Sequence, residues 1–448
     1  MVHDERTGQL DSSLYKSQAK KAAIASTIGT AIEWYDFFLY GTASALIFPK
    51  LFFPQSDPYV GTLQSFTTFF LGFVARPIGA AIFGHYGDRI GRKATLIITL
   101  LLMGISSTII GLMPTYDSIG FWAPFFLTVL RVLQGIGVGG EWGGSVLLSM
   151  EWGNRRKRGL MASWPQTGVG LGLLLSSSLV TLFINLTGNS FNSWGWRIPF
   201  LLSIVLVAIG LFIRLNVLET PQFSKVLEEK TVARQPVAEV IKNNWKEIIL
   251  SAFVRMAEQA PFYIFITFVI SYGTQQLHMS RQFLVNATLV GSLLSLVSVP
   301  FFGYLSDFIG RKRMYMIGAV ATLLWAFPYF GLLNTRIPAL VFLAVVISLI
   351  PHDMLYGPQA ALIAENFPTK LRYSGSSLGY QLASIIAGGP APLIAAYLLH
   401  TFGSSTAISL YIIFNCIITM IATAMLKERS QQENLELPHE TPSASLHS

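Results

Sequence analysis

A ten-residue stretch occurs twice in this chain. GHYGDRIGRK covers 84–93 and GYLSDFIGRK covers 303–312, and the aspartate and the last glycine are displaced equally, 307 − 88 and 310 − 91 both giving 219. Glu151 and Arg158 are answered by Glu365 and Arg372, where 365 − 151 and 372 − 158 both give 214. Each copy is charged, punctuated by glycine and wedged between long apolar runs. Such a chain must fold as two halves of one plan, related in parallel.

Composition says where that plan lives. With 52% hydrophobic residues and only 12% charged, and a mean hydropathy of +0.53, 448 residues have too little polar surface for a soluble protein. The single cysteine, Cys416, excludes a disulfide framework or a cysteine metal cluster. No short apolar segment with a small-residue cleavage site precedes the first long run, so no cleaved signal is expected. The formal charge of +8 sits in short hydrophilic connections rather than along one solvated face, which points to membrane orientation and not to nucleic acid.

Crossing the roughly 30 Å hydrocarbon layer takes about 20 helical residues. Apolar runs of that length fall near 22–48, 62–84, 94–113, 121–150, 160–186 and 196–218, then near 248–275, 283–305, 314–333, 339–364, 375–399 and 405–426. The expected fold is an all-α membrane protein of 12 transmembrane helices in two six-helix halves, 22–218 and 247–427. A tail at 1–21, a charged connector at 219–246 and a disordered tail at 428–448 complete it. Lys and Arg crowd the loops of one side: Arg89, Arg92 and Lys93; Arg155 to Arg158; Arg311 to Arg313; Lys370 and Arg372. That side and both termini are expected to be cytoplasmic, with Trp122, Trp194 and Trp196 as interfacial aromatics on the other.

Ionisable side chains inside spanning helices are costly and are functional candidates by default. Glu33 and Asp36 lie three apart on one face of the first span, flanked by Tyr35 and Tyr40, and two carboxylates that close do not both ionise easily in a low dielectric. This suits a pair that loads and releases a proton; packing against an intramembrane arginine is the plainer alternative. Arg131 lies near the midplane of the fourth span and needs a carboxylate, from Asp36, Glu33 or a transported substrate. Gln134 and Glu141 follow it among glycines suited to close helix approach. Arg255 and Glu258, three apart in the seventh span, are either a local ion pair or ligand contacts. His352 and Asp353 stand beside Pro351 and Pro358, which are expected to kink the tenth span, and they serve either as satisfied hydrogen-bonding groups or as substrate and proton contacts. Gln166, Tyr380 and Gln381 are weaker candidates.

The repeated loops place Asp88 beside Arg89 and Arg92, and Asp307 beside Arg311. Positive-inside topology explains the basic residues but not an aspartate and two glycines repeated at one spacing. Together with Glu151, Arg158, Glu365 and Arg372, they are expected to form a latch between the halves that holds only while that side is closed.

The repeated G-x-x-x-D-x-x-G-R-K loops and the R-x-x-x-G-x-G run at Arg131, Gly135 and Gly137 resemble the major facilitator superfamily. EWYDFFLYG, FVARPIG, GEWGG, SWGWRIPF and the RYSGSSLGYQLAS run from Arg372 are similar to the metabolite:proton symporter family, along almost all of 22–427; RMAE, HDM and GYQLAS look most like bacterial shikimate transporters. The resemblance implies alternating access driven by a proton gradient, without a cofactor, in a bacterial inner membrane. Glu33 and Asp36 would be the proton-linked acids, Arg131 their coupling partner, and Asp88 and Arg92 parts of the cytoplasmic gate. The expected cargo is a small organic acid such as shikimate. The alternatives are a zwitterionic osmolyte (betaine or proline) or a dicarboxylate such as 2-oxoglutarate, and the protein is expected to be monomeric.

Two patterns invite an enzyme instead: GSSLG at 375–379 satisfies G-x-S-x-G, and GIGVGG at 135–140 satisfies G-x-G-x-x-G. Both fall in or at the start of apolar helices, whereas a nucleophile elbow or a dinucleotide loop needs a preceding strand. A sensor that binds without flux is the remaining class.

Overall fold

The computed structural model describes residues 5–153, 155–229 and 233–427. The expected disorder at 428–448 lies outside them. Twelve long helices carry the fold: α1 (Glu5–Leu46), α2 (Pro58–Gly87), α3 (Arg92–Leu112), α4 (Trp122–Trp152), α5 (Arg158–Thr187), α6 (Arg197–Leu215), α7 (Pro236–Gln275), α8 (Arg281–Ile309), α9 (Arg311–Asn334), α10 (Pro338–Ala364), α11 (Thr369–Phe402) and α12 (Thr406–Met425). Their apolar runs make each a helix because in hydrocarbon every backbone donor and acceptor must be satisfied within its own segment. α1 extends well before the apolar part, and Gln18 accepts from the backbone N–H of Leu218 beyond α6.

α10 carries Pro351 and Pro358 inside one continuous helix, while α7 and α11 each contain a π-helical turn, at Ile264–Phe268 and at Ser384–Gly388. Pro261 lies just before the first and Pro390 just after the second. Trp196 departs from expectation: it is fully buried, packed edge-on against Phe48 and Phe200 rather than standing at an interface, whereas Trp122 and Trp194 are exposed.

Within the first half, α2 and α4 approach backbone to backbone. A Cβ on Gly139 would stand 2.0 Å from the Arg76 carbonyl oxygen, and one on Gly79 equally close to that of Ile136. The halves meet where α2 packs on α11 and α5 on α8 and α10. The connector carries a short helix, Pro221–Glu228, whose N-cap Thr220 accepts from Phe223 N–H.

Candidate functional site

At the end of the bundle that carries the repeated loops, the two aspartates act on opposite halves. Asp88 accepts from the backbone N–H groups of Tyr373 (3.2 Å) and Ser374 (2.9 Å), in the first turn of the α-helical run Arg372–Ala383 within α11. Asp307 accepts from those of Gly159 (2.9 Å) and Leu160 (3.0 Å), in the first turn of α5. A carboxylate on the unsatisfied N–H groups of a helix start is favourable through hydrogen bonds and the helix dipole together. Each aspartate is tied to an arginine that also holds a glutamate: Arg92 to Asp88 (3.5 Å) and Glu151 (3.4 Å), Arg311 to Asp307 (2.7 Å) and Glu365 (3.4 Å).

The two glycines of each loop have different tasks. Gly91 and Gly310 have φ of 107° and 97°, a backbone region that L side chains avoid. Gly84 and Gly303 let the halves touch, since a Cβ would come within 2.8 Å of Ser374 Cα and within 2.5 Å of Ser163 Oγ. Thr220 donates to Glu151 and Phe223 lies under Arg92, so the connector also reaches the first of these clusters. Arg372 donates to Gln222 and Arg158 is buried, while Arg89 is exposed and lies 3.3 Å from His85. Burial pushes the Asp88 carboxyl up to about 6, against the lowering pull of Arg92 and of the N–H groups of Ser374 and Tyr373.

Nearer the middle, the first half encloses its own charges. Asp36 Oδ1 accepts from Ser203 at 2.6 Å, and the Ser107 hydroxyl also acts on the carboxyl. Arg131 donates to Gln134 Oε1 (3.2 Å) and lies over the rings of Tyr40, Phe69 and Phe37. Gln134 in turn donates to Ser107, and Asp36 lies within electrostatic reach of Arg131. Glu141 is bound by Arg214, Ser145 and Thr99, and Tyr35 and Tyr40 donate to or pair with Pro199 and Thr68 inside the same half. Glu33 is buried within electrostatic reach of Glu141, Arg76, Arg214 and Asp36.

The second half presents a connected chain. Arg255 pairs with Glu258 (3.1 Å), donates to the Tyr380 carbonyl and lies flat over the Tyr380 ring. Glu258 also accepts from Gln359 (3.0 Å) and stands 3.6 Å from His352 Nε2, while His352 Nδ1 is 2.9 Å from Asp353, which accepts from Ser298. Across the seam, Trp142 stacks on Tyr380 and donates to Gln166, whose amide reaches the Tyr356 carbonyl; Gln381 reaches that of Val138. A void of ≈ 30 Å³ touches Gln166, His352, Asp353 and Tyr356, about room for one water.

The structure thus brings Gln166, Arg255, Glu258, His352, Asp353, Tyr380 and Gln381 to one seam, and keeps Tyr35, Tyr40, Gln134 and Glu141 within the first half. Sequence reasoning passed over Arg76, Arg214, Gln259, Tyr263 and Gln359. Arg76 and Arg214 lie inside apolar runs, and the rule that singled out Arg131 applies equally to both.

Two parallel six-helix halves, latched at one end and lined with buried charge at their seam, define a multi-pass membrane transporter. The chain belongs to the Major Facilitator Superfamily, whose family model matches residues 26–388 and again 260–446. It is 40% identical over 427 residues to the shikimate transporter of Escherichia coli (94% of this chain, 97% of that one), and 41% identical over 418 residues to an inner membrane metabolite transport protein of that organism (92% and 95%). The Escherichia coli proline/betaine transporter is 32% identical over 439 residues, covering 95% and 86%. A solved structure of the proton:xylose symporter XylE shares the fold, with a TM-score of 0.77 at 15% identity over 94% of this chain and 99% of that one. The chain is a secondary transporter and not an enzyme.

Proposed function

We propose that the protein imports a small organic acid of the shikimate type together with protons, by alternating access across a bacterial inner membrane. The basic end and both termini face the cytoplasm, the protein works as a monomer, and the proton gradient replaces any cofactor. The observation that carries this reading is Asp36, fully buried in α1 with Ser203 and Ser107 on its carboxyl, in a helix beside Arg131. An ionisable group inside a spanning helix is costly and is kept for a function, here the proton. Glu33 shares that load and Arg131 senses it, and the reciprocal aspartate latches form the cytoplasmic gate.

The second reading is uptake of a betaine- or proline-like zwitterion, which the proline/betaine relatives support. Proteoliposomes with an imposed inward proton gradient separate the two. Labelled shikimate should accumulate, with uptake resistant to excess proline betaine and to 2-oxoglutarate. Accumulation of betaine in its place would keep the mechanism and replace the cargo, while uptake indifferent to the gradient would remove proton coupling.

A further inference from the structure

Most buried arginines with partners given by the structure hold a carboxylate: Arg92, Arg214, Arg255 and Arg311. Arg131 is bonded to Gln134 behind its aromatic rings. Arg76 of α2 is different. It is 4% exposed, and among the described residues it has neither a hydrogen bond nor a carboxylate within 4.0 Å. Three rings surround it, Phe73, Phe37 and Trp34, at 4.5, 4.8 and 5.7 Å from Cζ. Such rings attract a cation but supply none of the directed acceptors that a guanidinium's five N–H groups need. In contrast to Arg131 Nε, none of its nitrogens is sealed away from the space between the helices.

Arg76 also faces the seam. Its electrostatic neighbours include Tyr263 and Tyr380 of the second half, and Tyr263 packs its ring edge-on against Phe73, one helical turn from Arg76 on the same helix. On that facing helix two further groups want partners: the Tyr263 hydroxyl and Gln259 Oε1 are buried with nothing bonded to them. A guanidinium with no hydrogen bond, which has Glu33 in electrostatic reach, therefore faces a hydroxyl and an amide oxygen without partners across the seam. A molecule carrying a carboxylate at one end and hydroxyls at the other would satisfy all three.

We propose that Arg76 is the anchor for the carboxylate of the transported acid, and that Tyr263 and Gln259 receive its hydroxyl end. This assignment rests on the reading of the cargo as an organic acid. Arg255 does not compete for the role, because Glu258 and the Tyr380 carbonyl already occupy it. Arg131 stays with the proton site. The acid bridges the two halves, anion on the first and hydroxyls on the second.

The test is the ratio of affinities for an acid and its neutral methyl ester, read within each variant from ligand-induced shifts in melting of the purified full-length protein. Shikimate is the first probe, and 2-oxoglutarate and glycine betaine are the others; the ratio is read on whichever stabilises the wild type. The wild type should prefer the acid by about tenfold or more, the value of a lost charge-assisted pair. Arg76→Gln should bring the ratio close to one, and Arg76→Lys should leave an intermediate preference, because a point charge replaces a bidentate fork. Tyr263→Phe should weaken shikimate binding several-fold with the ratio unchanged. General destabilisation does not alter a ratio taken within one variant, and Arg76→Lys supplies the same readout if the glutamine variant does not fold. A full acid preference retained in both Arg76 variants overturns the assignment and leaves the cargo reading intact. A wild type stabilised by none of the three carboxylates overturns both.

Discussion

Trp142 of the first half and Tyr380 of the second lie face to face, with ring centroids 3.5 Å apart and planes 18° from parallel. Trp142 also donates to Gln166, and Tyr380 carries Arg255 on its ring, so the stack joins the seam to the charges of the second half. It lies between the midplane and the latched end, and separating the halves there must break it. An aromatic pair of this kind contributes about 0.5–1.5 kcal/mol beyond its buried area. Trp142→Ala should therefore favour the state open at the basic end by roughly two- to tenfold. Maleimide labelling of Ser377→Cys from that side, in a Cys416→Ser background, should speed up accordingly; an unchanged rate would mean that the stack does not hold the closure.

Asp36→Asn removes the titrating group but keeps an acceptor for Ser203. Uphill, gradient-driven accumulation should be lost, while exchange of labelled for unlabelled substrate across the same membrane persists. Full uphill uptake by the variant would take Asp36 out of the proton role.

The Asp88 latch should be sensitive to pH on its own side. Burial in the closed gate lifts its carboxyl from its ordinary 3.8 to about 6, so the closed form binds a proton more tightly than an open form with Asp88 in water. That contribution is fully present below 3.8 and is lost as pH rises through about 6. The groups around it are Arg92, which Glu151 also holds, and the N–H donors of Tyr373 and Ser374. Acidifying the basic side from about pH 7.5 to 5.5 should slow opening there, with the carboxylate uncharged on the acid side of the transition. Asp88→Asn, neutral throughout, should remove this dependence, and the same labelling rate measured against pH decides it.

Arg214 and Glu141 form a buried pair inside the first half, with Thr99 and Ser145 completing the carboxylate's bonds. Arg214→Met alone strands the carboxylate and should cost about 3–5 kcal/mol of stability. Adding Glu141→Gln should recover most of that, since a neutral pair avoids the desolvation of both ions. Melting of the two purified variants checks this, and equal losses in both would mean the pair is not a unit.

Much of the architecture was legible in the sequence because the bilayer imposes it. Helix length, the parallel repeat and the bonding of both aspartates to the opposite half go with periodic hydrophobicity and with a spacing repeated at 88 and 307. What remained hidden were partnerships. Nothing in the spacing of Arg131 says that it donates to Gln134 and lies over three rings, or that Glu141 finds its cation 73 residues away at Arg214. The π-helical turns of α7 and α11 had no comparable local signal, whereas Pro351 and Pro358 lie within the continuous α10. Arg76 escaped notice for a simpler reason: it sits in FVARPIG, where a lone charge among apolar residues looks like part of a motif rather than a side chain without a partner.

The two π-helical turns, Ile264–Phe268 in α7 and Ser384–Gly388 in α11, stand close together, with Gly388 lying against Gln259 one turn before the first. A π turn interrupts the regular ladder of backbone bonds and is a place where a helix bends. Both lie beyond the segments that Asp88 and Asp307 hold, so the irregular backbone of α7 and α11 is kept apart from the bonds that join the halves at the basic end.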